Sequence, residues 1–467
     1  MAIRVGFRSA PRRPALDRAP PRGTGPLSPA LPLLGHAPWF WRDTNGFLLR
    51  LAREQGDIAA FRLGRRDAFL LSHPDHVRQV LVDDADKFRN GGLMQRARRL
   101  LGDGLLTSEG ERHHAQRRAL QPAFCRRQLA ACGAAVPPLA AAAAAKWSDG
   151  QVVDVSAAMD ELALAVVTET LLGADAAPLA NDLRVLSAQG PLLAAPLGRV
   201  LERLRIPPFL AAGRAADRLR TAMLDHVTSA QPAGQWDVMS LLRRIGPDGR
   251  RMSAELARDE AMTLFLAGHD TTAAALTWTW YLLATHPAAA ARLRDELDTV
   301  LGERDPTSED CSSLAYTGMV FDEVLRLYPP IGRIGRRPVR EYAIGGRRLP
   351  AGGVVFVSPF VTQRDPRWWP DPERFEPERW TPAAVAGRPR YAAFPFGAGP
   401  RSCIGGGMAR MIGVLTIATI ARRWSLHPMP GPAPRIRPLL TLKPASGLRL
   451  RAVSEQDPSA LLRDPAQ

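Results

Sequence analysis

The chain has 467 residues, of which 46% are hydrophobic and 23% are charged, so it carries ample material for a large core and is neither disordered nor of low complexity. Its formal net charge is +16, and all but three of its 62 basic residues are arginine. Such a balance suits nucleic acid or an acidic protein as partner, but no basic run is interleaved with aromatic residues, so we expect no nucleic-acid binding.

The first predicted element is a β-hairpin over Asp57–Ser72, which turns around residues 64–66. A helix follows over His73–Phe88, where apolar residues recur at helical spacing. A second helix is predicted to end at Gly150. A third helix, over Asp154–Gly173, is amphipathic and is closed by its glycine.

The longest predicted helix covers Ser253–Pro287, with Ser253 as its N-cap and the proline as its stop. Its middle is apolar nearly all round, so it must be buried, and a helix of this length through the core implies one large, mainly helical domain. A short buried strand is predicted over Gly352–Phe360. The predicted fold class is therefore mainly α with a small β lobe.

The chain shows no internal repeat and no boundary that would divide it. We expect a disordered Pro/Arg-rich segment over residues 1–30, a single domain over 31–452 and a flexible tail over 453–467. The first segment lacks the apolar stretch of a signal peptide, and no later stretch approaches the length that spans a bilayer. The four cysteines form no CxxC pair, which fits a reducing compartment. We expect a cytoplasmic protein without a membrane anchor.

One cysteine, Cys403, lies in the glycine-rich stretch FGAGPRSCIGG. Glycines on both sides of it let the backbone approach a flat group closely and leave N–H groups free to point at the sulfur. Arg401 adds a positive charge, and a helix predicted just after Gly407 directs its N-terminus toward the same region. These features predict a thiolate that ligates a metal whose other ligands are not protein, and a heme iron fits.

The pattern F-G-x-G-x-R-x-C-x-G resembles the heme-binding signature of the cytochrome P-450 family of heme-thiolate monooxygenases. The resemblance runs from about Leu31 to about Arg451 and implies the triangular-prism fold of that family. It also implies that Cys403 is the axial ligand of heme b. The other residues of the pattern that it places at the cofactor are Phe396, Gly397, Arg401 and Gly405.

Two further segments match the family's structural triad. In EVLR, Glu323 and Arg326 are three residues apart and lie on one face of a helix, where they can pair. The resemblance implies that an arginine of DPERFEPERW completes the triad. Arg374 and Arg379 compete for that place, and the family's layout favours Arg379. Trp380 stands where the family usually has phenylalanine.

The long helix contains AGHDTT, which resembles the family's oxygen-activating motif. The small side chain of Ala267 lets the helix pass close to the heme face. The resemblance implies that Asp270 relays protons and that Thr271 steadies the bound oxygen by a hydrogen bond.

Heme propionates need cations, and the resemblance points to three places along the chain. Two of these places leave a choice between neighbouring residues. The candidates are His113 with Arg117 or, one residue on, His114 with Arg118; Arg336 or Arg337; and Arg401.

The implied activity is a monooxygenase of secondary metabolism that uses dioxygen and two externally supplied electrons to hydroxylate or epoxidise a small hydrophobic substrate, such as a terpenoid, a fatty acid or a polyketide-like molecule. The segment after Cys403 is too short for a flavin or iron–sulfur module, so we expect a separate ferredoxin or flavodoxin with its NAD(P)H reductase, and a monomer. The alternatives are a peroxide-dependent peroxygenase, which the intact AGHDTT disfavours, and a gas or redox sensor, for which no output domain is visible.

The substrate itself is not predicted. We expect the pocket to be lined by four segments with apolar or small residues. Such residues are compatible with each of these substrate classes and do not distinguish between them. The four segments are Phe88–Leu106, Leu183–Phe209, Leu264–Thr272 and Ile331–Gly335.

Overall fold

The computed structural model of the chain describes residues 30–172, 179–193, 203–229, 252–436 and 441–455. Most of the predicted N-terminal segment and C-terminal tail, together with the end of the predicted helix at Gly173 and part of the predicted pocket segment Leu183–Phe209, lie outside these residues.

Helices make up most of the described chain. The α-helices are α1 (Ala37–Arg42), α2 (Thr44–Gln55), α3 (Pro74–Arg78), α4 (Gly92–Leu101), α5 (Gly110–Leu120), α6 (Arg126–Ala144), α7 (Val155–Val167), α8 (Ala180–Leu193), α9 (Pro207–Ser229), α10 (Ala254–Thr285), α11 (Pro287–Leu301), α12 (Ala315–Leu327), α13 (Pro359–Thr362), α14 (Pro382–Ala386) and α15 (Gly406–Ala421).

The strands form small sheets. They are β1 (Ile58–Leu63), β2 (Arg66–Leu71), β3 (Phe88–Asn90), β4 (Val152–Asp154), β5 (Ile334–Pro338), β6 (Tyr342–Ile344), β7 (Arg347–Leu349), β8 (Val354–Val357), β9 (Trp424–Pro428) and β10 (Arg449–Ser454). The largest sheet has the order β1-β2-β8-β5-β3, in which β2 and β8 are parallel and the other neighbours antiparallel. A second sheet has the order β4-β10-β9, and β6 pairs with β7.

The long helix is confirmed as α10, which runs through the core. The Ser253 side chain caps it by accepting a hydrogen bond from the Leu256 N–H at 3.2 Å. It ends at Thr285, and Pro287 begins α11, because proline is tolerated in the first turn of a helix but not inside one. Most of its residues are buried, and the indole of Trp278 donates to the Leu442 carbonyl at 2.8 Å.

The predicted hairpin is confirmed as β1 and β2, with Gly64 at φ 65° in its turn. The predicted strand over Gly352–Phe360 is confirmed in its middle as β8, where Val355 and Val357 are fully buried. β8 pairs with β2 in parallel, so the two predicted β-segments lie side by side.

Two helix predictions are wrong in their extent. The helix predicted over His73–Phe88 is α3, continued by a π-helical turn to Asp83, and Phe88 begins β3 because it pairs with Pro338 of β5. α6 ends at Ala144 rather than Gly150. Gly150 lies in a turn at φ 75°, and its N–H donates to the Ala452 carbonyl of β10. Gly150 is therefore hydrogen-bonded to the sheet and is not the end of α6.

α7 begins where the sequence predicts, because the Asp154 side chain accepts a hydrogen bond from the Ala157 N–H. It continues beyond Val167 as a π-helical turn to Leu172.

The loop that contains Cys403 lies at the junction between the sheet lobe and the helical core. Phe394 and Ala398 pack into the apolar cluster around β5 and β8, while Phe396 packs against the helical core that includes α10, α12 and α15. Of the helices in the described residues, none has the length and hydropathy needed to cross a bilayer.

Candidate active site

The Cys403 loop is held in a fixed shape by its own backbone. Cys403 N–H donates to the Phe396 carbonyl at 2.8 Å, and Gly397 N–H donates to the Phe394 carbonyl at 2.9 Å. Gly397 and Gly399 adopt φ 70° and 68°, in the left-handed region that favours glycine. A Cβ on Gly399 would lie 1.9 Å from the Leu81 carbonyl oxygen, so this position also has no room for a side chain.

Cys403 is an exposed residue among the described ones, although protein atoms crowd the space around it. Their desolvating effect raises the pKa of the Cys403 thiol, and a hydrogen bond from the Gly405 N–H and the charge of Arg117 oppose the rise. α15 begins at Gly406, three residues beyond the cysteine, with Gly405 as its N-cap. Among the described residues, no group of three His, Cys, Asp or Glu side chains could hold a metal ion.

Four of the sequence-predicted residues come together beside this loop, and we call them the cation cluster: His113, Arg117, Arg336 and Arg401. Arg117 donates to the Ser402 carbonyl at 2.7 Å, which ties α5 to the residue before the cysteine. Arg401 donates to the carboxylate of Glu109 at 2.6 Å.

The imidazole of His113 is buried in the middle of the cation cluster. Burial, the nearby charges of Arg401, and then those of its other basic neighbours lower the pKa of His113 to about 3, so it is neutral at physiological pH. His114 is less buried and Arg118 is exposed. The first of the two alternative pairs therefore faces the Cys403 loop.

Arg336 and Arg337 point to different surroundings because neighbours on a strand alternate. Arg336 donates to Asn90 Oδ1 at 3.3 Å and to the Gly335 carbonyl at 3.0 Å. Burial first and the charge of Arg401 second lower its pKa to about 10. Arg337 instead donates to Gln95 of α4.

The cation cluster fits an anionic cofactor. Of its three guanidinium groups, only that of Arg401 pairs with a carboxylate of the described residues, that of Glu109, so positive charge is in surplus there. Buried charge is costly unless a counter-charge compensates it. The propionates of a heme would supply two carboxylates beside a cysteine able to ligate its iron.

The predicted triad residues also lie together. Glu323 and Arg326 are fully buried and form a bidentate ion pair, with both N···O distances at 2.8 Å. Arg379 Nε lies 3.5 Å from Glu323 Oε1, and the Arg379 guanidinium pairs with Glu376 at 2.9 Å. Arg374 contributes its carbonyl oxygen, which accepts from Arg326 at 3.0 Å.

Two residues for which the sequence predicted no role complete this network. The indole of Trp380 donates to Glu323 Oε2 at 2.9 Å, a hydrogen bond that phenylalanine could not make. Gln363 is fully buried; its amide nitrogen donates to the carbonyls of Leu325 and Arg326, and its amide oxygen accepts from the Phe394 N–H at 3.0 Å. Gln363 thus ties the end of α12 to the start of the Cys403 loop.

Asp270 is engaged in an ion pair that the sequence did not reveal. Lys443 Nζ lies 2.8 Å from Asp270 and 2.7 Å from Asp160 of α7. Burial opposes ionisation of Asp270, but the charge and hydrogen bond of Lys443, with a hydrogen bond from Thr441, outweigh it and hold the pKa of Asp270 below its usual value. The one feature of the sequence that could have pointed to Lys443 is that it is one of three lysines in an arginine-rich chain.

The other residues of AGHDTT have distinct surroundings. The Thr271 hydroxyl donates to the Ala267 carbonyl at 2.7 Å, one turn back along α10. Ala267 is exposed although most of α10 is buried. A Cβ on Gly268 would lie 3.1 Å from Val167, so this glycine lets α10 approach α7. His269 is buried and contacts the Asp160 carbonyl at 3.2 Å.

Comparison with known proteins agrees with this geometry. A model of the family described as Cytochrome P450 matches residues 26–184 and 215–450. The cyclooctat-9-en-7-ol 5-monooxygenase of Streptomyces melanosporofaciens is 39% identical, over 90% of this chain and 94% of its own. The pentalenene oxygenase of Streptomyces avermitilis is 34% identical, over 92% of this chain and 96% of its own. The solved structure of retinoic acid-bound cyanobacterial CYP120A1 matches with a TM-score of 0.82 and 25% identity, covering 91% of this chain and 98% of that one.

A cysteine thiolate that lies beside a group of cations is the arrangement by which heme-thiolate oxidoreductases bind heme. The chain belongs to the cytochrome P450 family. It is a heme-binding monooxygenase whose heme is ligated by a cysteine thiolate. Bacterial relatives of this kind generally use a redox partner and act on a hydrophobic substrate.

Proposed function

We propose that the chain hydroxylates a terpenoid, with heme b ligated by Cys403 and held at its propionates by the cation cluster. The observation that supports this most is the surplus of half-buried positive charge beside Cys403. The terpenoid class is supported by the names of the two Streptomyces relatives. When bound, the heme supplies the binding and reductive cleavage of dioxygen.

In this proposal Asp270 delivers protons and Thr271 offers its hydroxyl to the reacting oxygen. Asp270 must first exchange its contact with Lys443, which makes Lys443 a positioning residue. Asp160 is 37% exposed at its side chain and shares the same lysine, so Lys443 can stay paired with Asp160 when Asp270 turns away from it.

The redox partner in this proposal is an acidic ferredoxin or flavodoxin with its NAD(P)H reductase, since the chain has a surplus of positive charge. We further propose a monomer in the cytoplasm, where NAD(P)H is available, with its domain over residues 31–452.

The absorption spectrum of the purified protein, reduced with dithionite and exposed to carbon monoxide, tests the heme ligation. A strongly red-shifted Soret band is the expected result, because a thiolate opposite carbon monoxide donates electron density to the iron. Cys403→Ser should lose that band while the protein still melts cooperatively. A Soret band at the shorter wavelength typical of histidine- or thiol-ligated heme in the unchanged protein would contradict the proposal.

Asp270→Asn tests the relay. We expect product formation to fall by about a hundredfold, the usual contribution of a positioned proton donor, with the carbon monoxide spectrum unchanged. Glu255→Asn, at an exposed position in the first turn of the same helix, is the matched control. Full activity of Asp270→Asn with dioxygen and the electron donor would refute the relay, whereas efficient turnover of the unchanged protein with hydrogen peroxide and none with dioxygen and the electron donor would speak for the peroxygenase alternative.

A further inference from the structure

Our expectation of apolar or small residues throughout Ile331–Gly335 overlooks one charged residue, Arg333. Arg333 is half-buried in the segment that joins α12 to β5, and its guanidinium lies 5.6 Å from the centroid of the Phe40 ring. It forms no hydrogen bond and no ion pair with any residue that the structure describes. Burial lowers the pKa of Arg333 to about 10, so the group is still charged at neutral pH.

The segment around Arg333 touches the active site on both sides. Ile331 forms a β-bridge with Thr441, whose side chain hydrogen-bonds Asp270. Ile334 Cδ1 lies 3.6 Å from the place that a Cβ on Gly397 would occupy, against the Cys403 loop. Arg333 therefore lies between the contact to the proposed proton donor and the contact to the cysteine loop.

A second polar group with unused capacity lies at the same turn. Asn45 of α2 is 7% exposed, and its side-chain oxygen has no hydrogen-bond partner among the described residues. That oxygen lies 3.0 Å from the place that a Cβ on Gly332 would occupy. Asn45 thus lies beside Gly332, the residue that precedes Arg333. The Asn45 oxygen is an acceptor that still lacks a donor, whereas the Arg333 guanidinium is a donor that still lacks an acceptor.

We propose that Arg333 binds a carboxylate of the substrate, so that the substrate class is a hydrophobic carboxylic acid. A guanidinium presents two parallel N–H donors that match the two oxygens of a carboxylate, and the negative charge would compensate the buried positive one. A neutral alcohol or ketone would leave that charge uncompensated. This inference rests on the proposed function, because it names the substrate class of the same site.

The test uses the heme-loaded full chain and matched pairs of probes that differ at one carbon: abietic acid with methyl abietate, and palmitic acid with methyl palmitate. Binding is measured by equilibrium dialysis and by the shift of the ferric spin state. We expect the unchanged protein to bind at least one acid about tenfold more tightly than its ester above the pKa of the acid, the advantage of one charged hydrogen-bonded pair.

Arg333→Met should lose about tenfold in affinity for that acid and keep its affinity for the ester, while Arg333→Lys should keep part of the preference. Arg347→Met, at an exposed position on β7, should bind all probes as the unchanged protein does. Unchanged carbon monoxide spectra and melting curves would show that the variants are folded and loaded.

The proposal is overturned if neither acid binds more tightly than its ester, or if Arg333→Met weakens acid and ester alike, since the arginine would then act through packing or be hydrated. These outcomes are separate from failure of the proposed function, which would appear as the absence of the red-shifted carbon monoxide band before any probe is added.

Discussion

Glu260 is a fully buried acid on α10. One of its carboxylate oxygens accepts from the Leu105 N–H at 2.8 Å, and the other has no partner among the described residues. Burial raises the pKa of Glu260 to about 8, with a smaller contribution from Asp259. The side chain is therefore protonated at neutral pH, and the loop that contains Leu105 is held to α10 by an uncharged carboxyl group.

Glu260→Gln should change how stability depends on pH. Because the pKa of Glu260 is raised in the folded state, its stabilising contribution is complete at acid pH and is lost as the pH rises through about 8. Glutamine keeps an acceptor for Leu105 and cannot ionise. We expect the variant to unfold at a higher urea concentration than the unchanged protein near pH 9, with the difference small near pH 5. Glu255→Gln is the control, and an equal difference at both pH values would refute the assignment.

Lys443→Met should destabilise the fold, whereas a change at a surface lysine should not. In the unchanged protein Lys443 holds the pKa of Asp270 below its usual value. The ion pair therefore stabilises the fold at pH values above the usual pKa of an aspartate, and this stabilisation is lost as the pH falls through the lowered pKa of Asp270. In the variant, burial of Asp270 is no longer compensated, and its pKa rises. We expect a loss of about 1–3 kcal/mol near pH 8 that shrinks near pH 5, measured by urea unfolding.

Asp270→Asn combined with Lys443→Met should recover part of that loss, because no unpaired charge is left. Lys146→Met, at an exposed lysine, should be nearly neutral. A loss of stability that is the same at both pH values would show that Lys443 matters for packing alone.

At the scale of elements, the Cys403 loop depends on the π-helical turn that follows α3. Gly399 fits beneath the Leu81 carbonyl only without a side chain, and its φ of 68° is in the glycine region. Gly399→Ala should therefore displace the loop, lower the ratio of heme to polypeptide in the purified protein, and destabilise the fold by about 2–4 kcal/mol. Gly387→Ala, exposed and at φ −79°, is the matched control and should have no effect. Normal heme content in Gly399→Ala would contradict the close contact.

Elements whose limits are set by nearby residues could be predicted from the sequence. α10 has a serine cap and a proline stop of its own, and the glycines that shape the cysteine loop lie within a few residues of the cysteine. The helix over His73–Phe88 could not be predicted to its end, because a pairing with β5 far along the chain decides where it stops. For the same reason the partner of Asp270 was missed: Lys443 reaches it from beside β10.

At the scale of the whole molecule, the net charge of +16 should govern the encounter with an acidic electron donor. We expect the rate of reduction by an acidic ferredoxin to fall by about tenfold or more from low to high ionic strength, measured by stopped-flow absorbance. Reduction by a small uncharged donor is the control and should be insensitive to salt. A ferredoxin rate that does not change with salt would mean that the arginine surplus plays no part in docking.

Gln363 joins α12 to the cysteine loop by using both ends of one amide. Glutamate has no donor for the two carbonyls, and leucine, proline, lysine, arginine and histidine each lack an amide that both donates and accepts in that shape. These six are the amino acids that a single base change in a glutamine codon can produce. No single base change at this codon therefore produces a residue that keeps these hydrogen bonds. We expect genes that descend from this one to keep the glutamine even after long divergence.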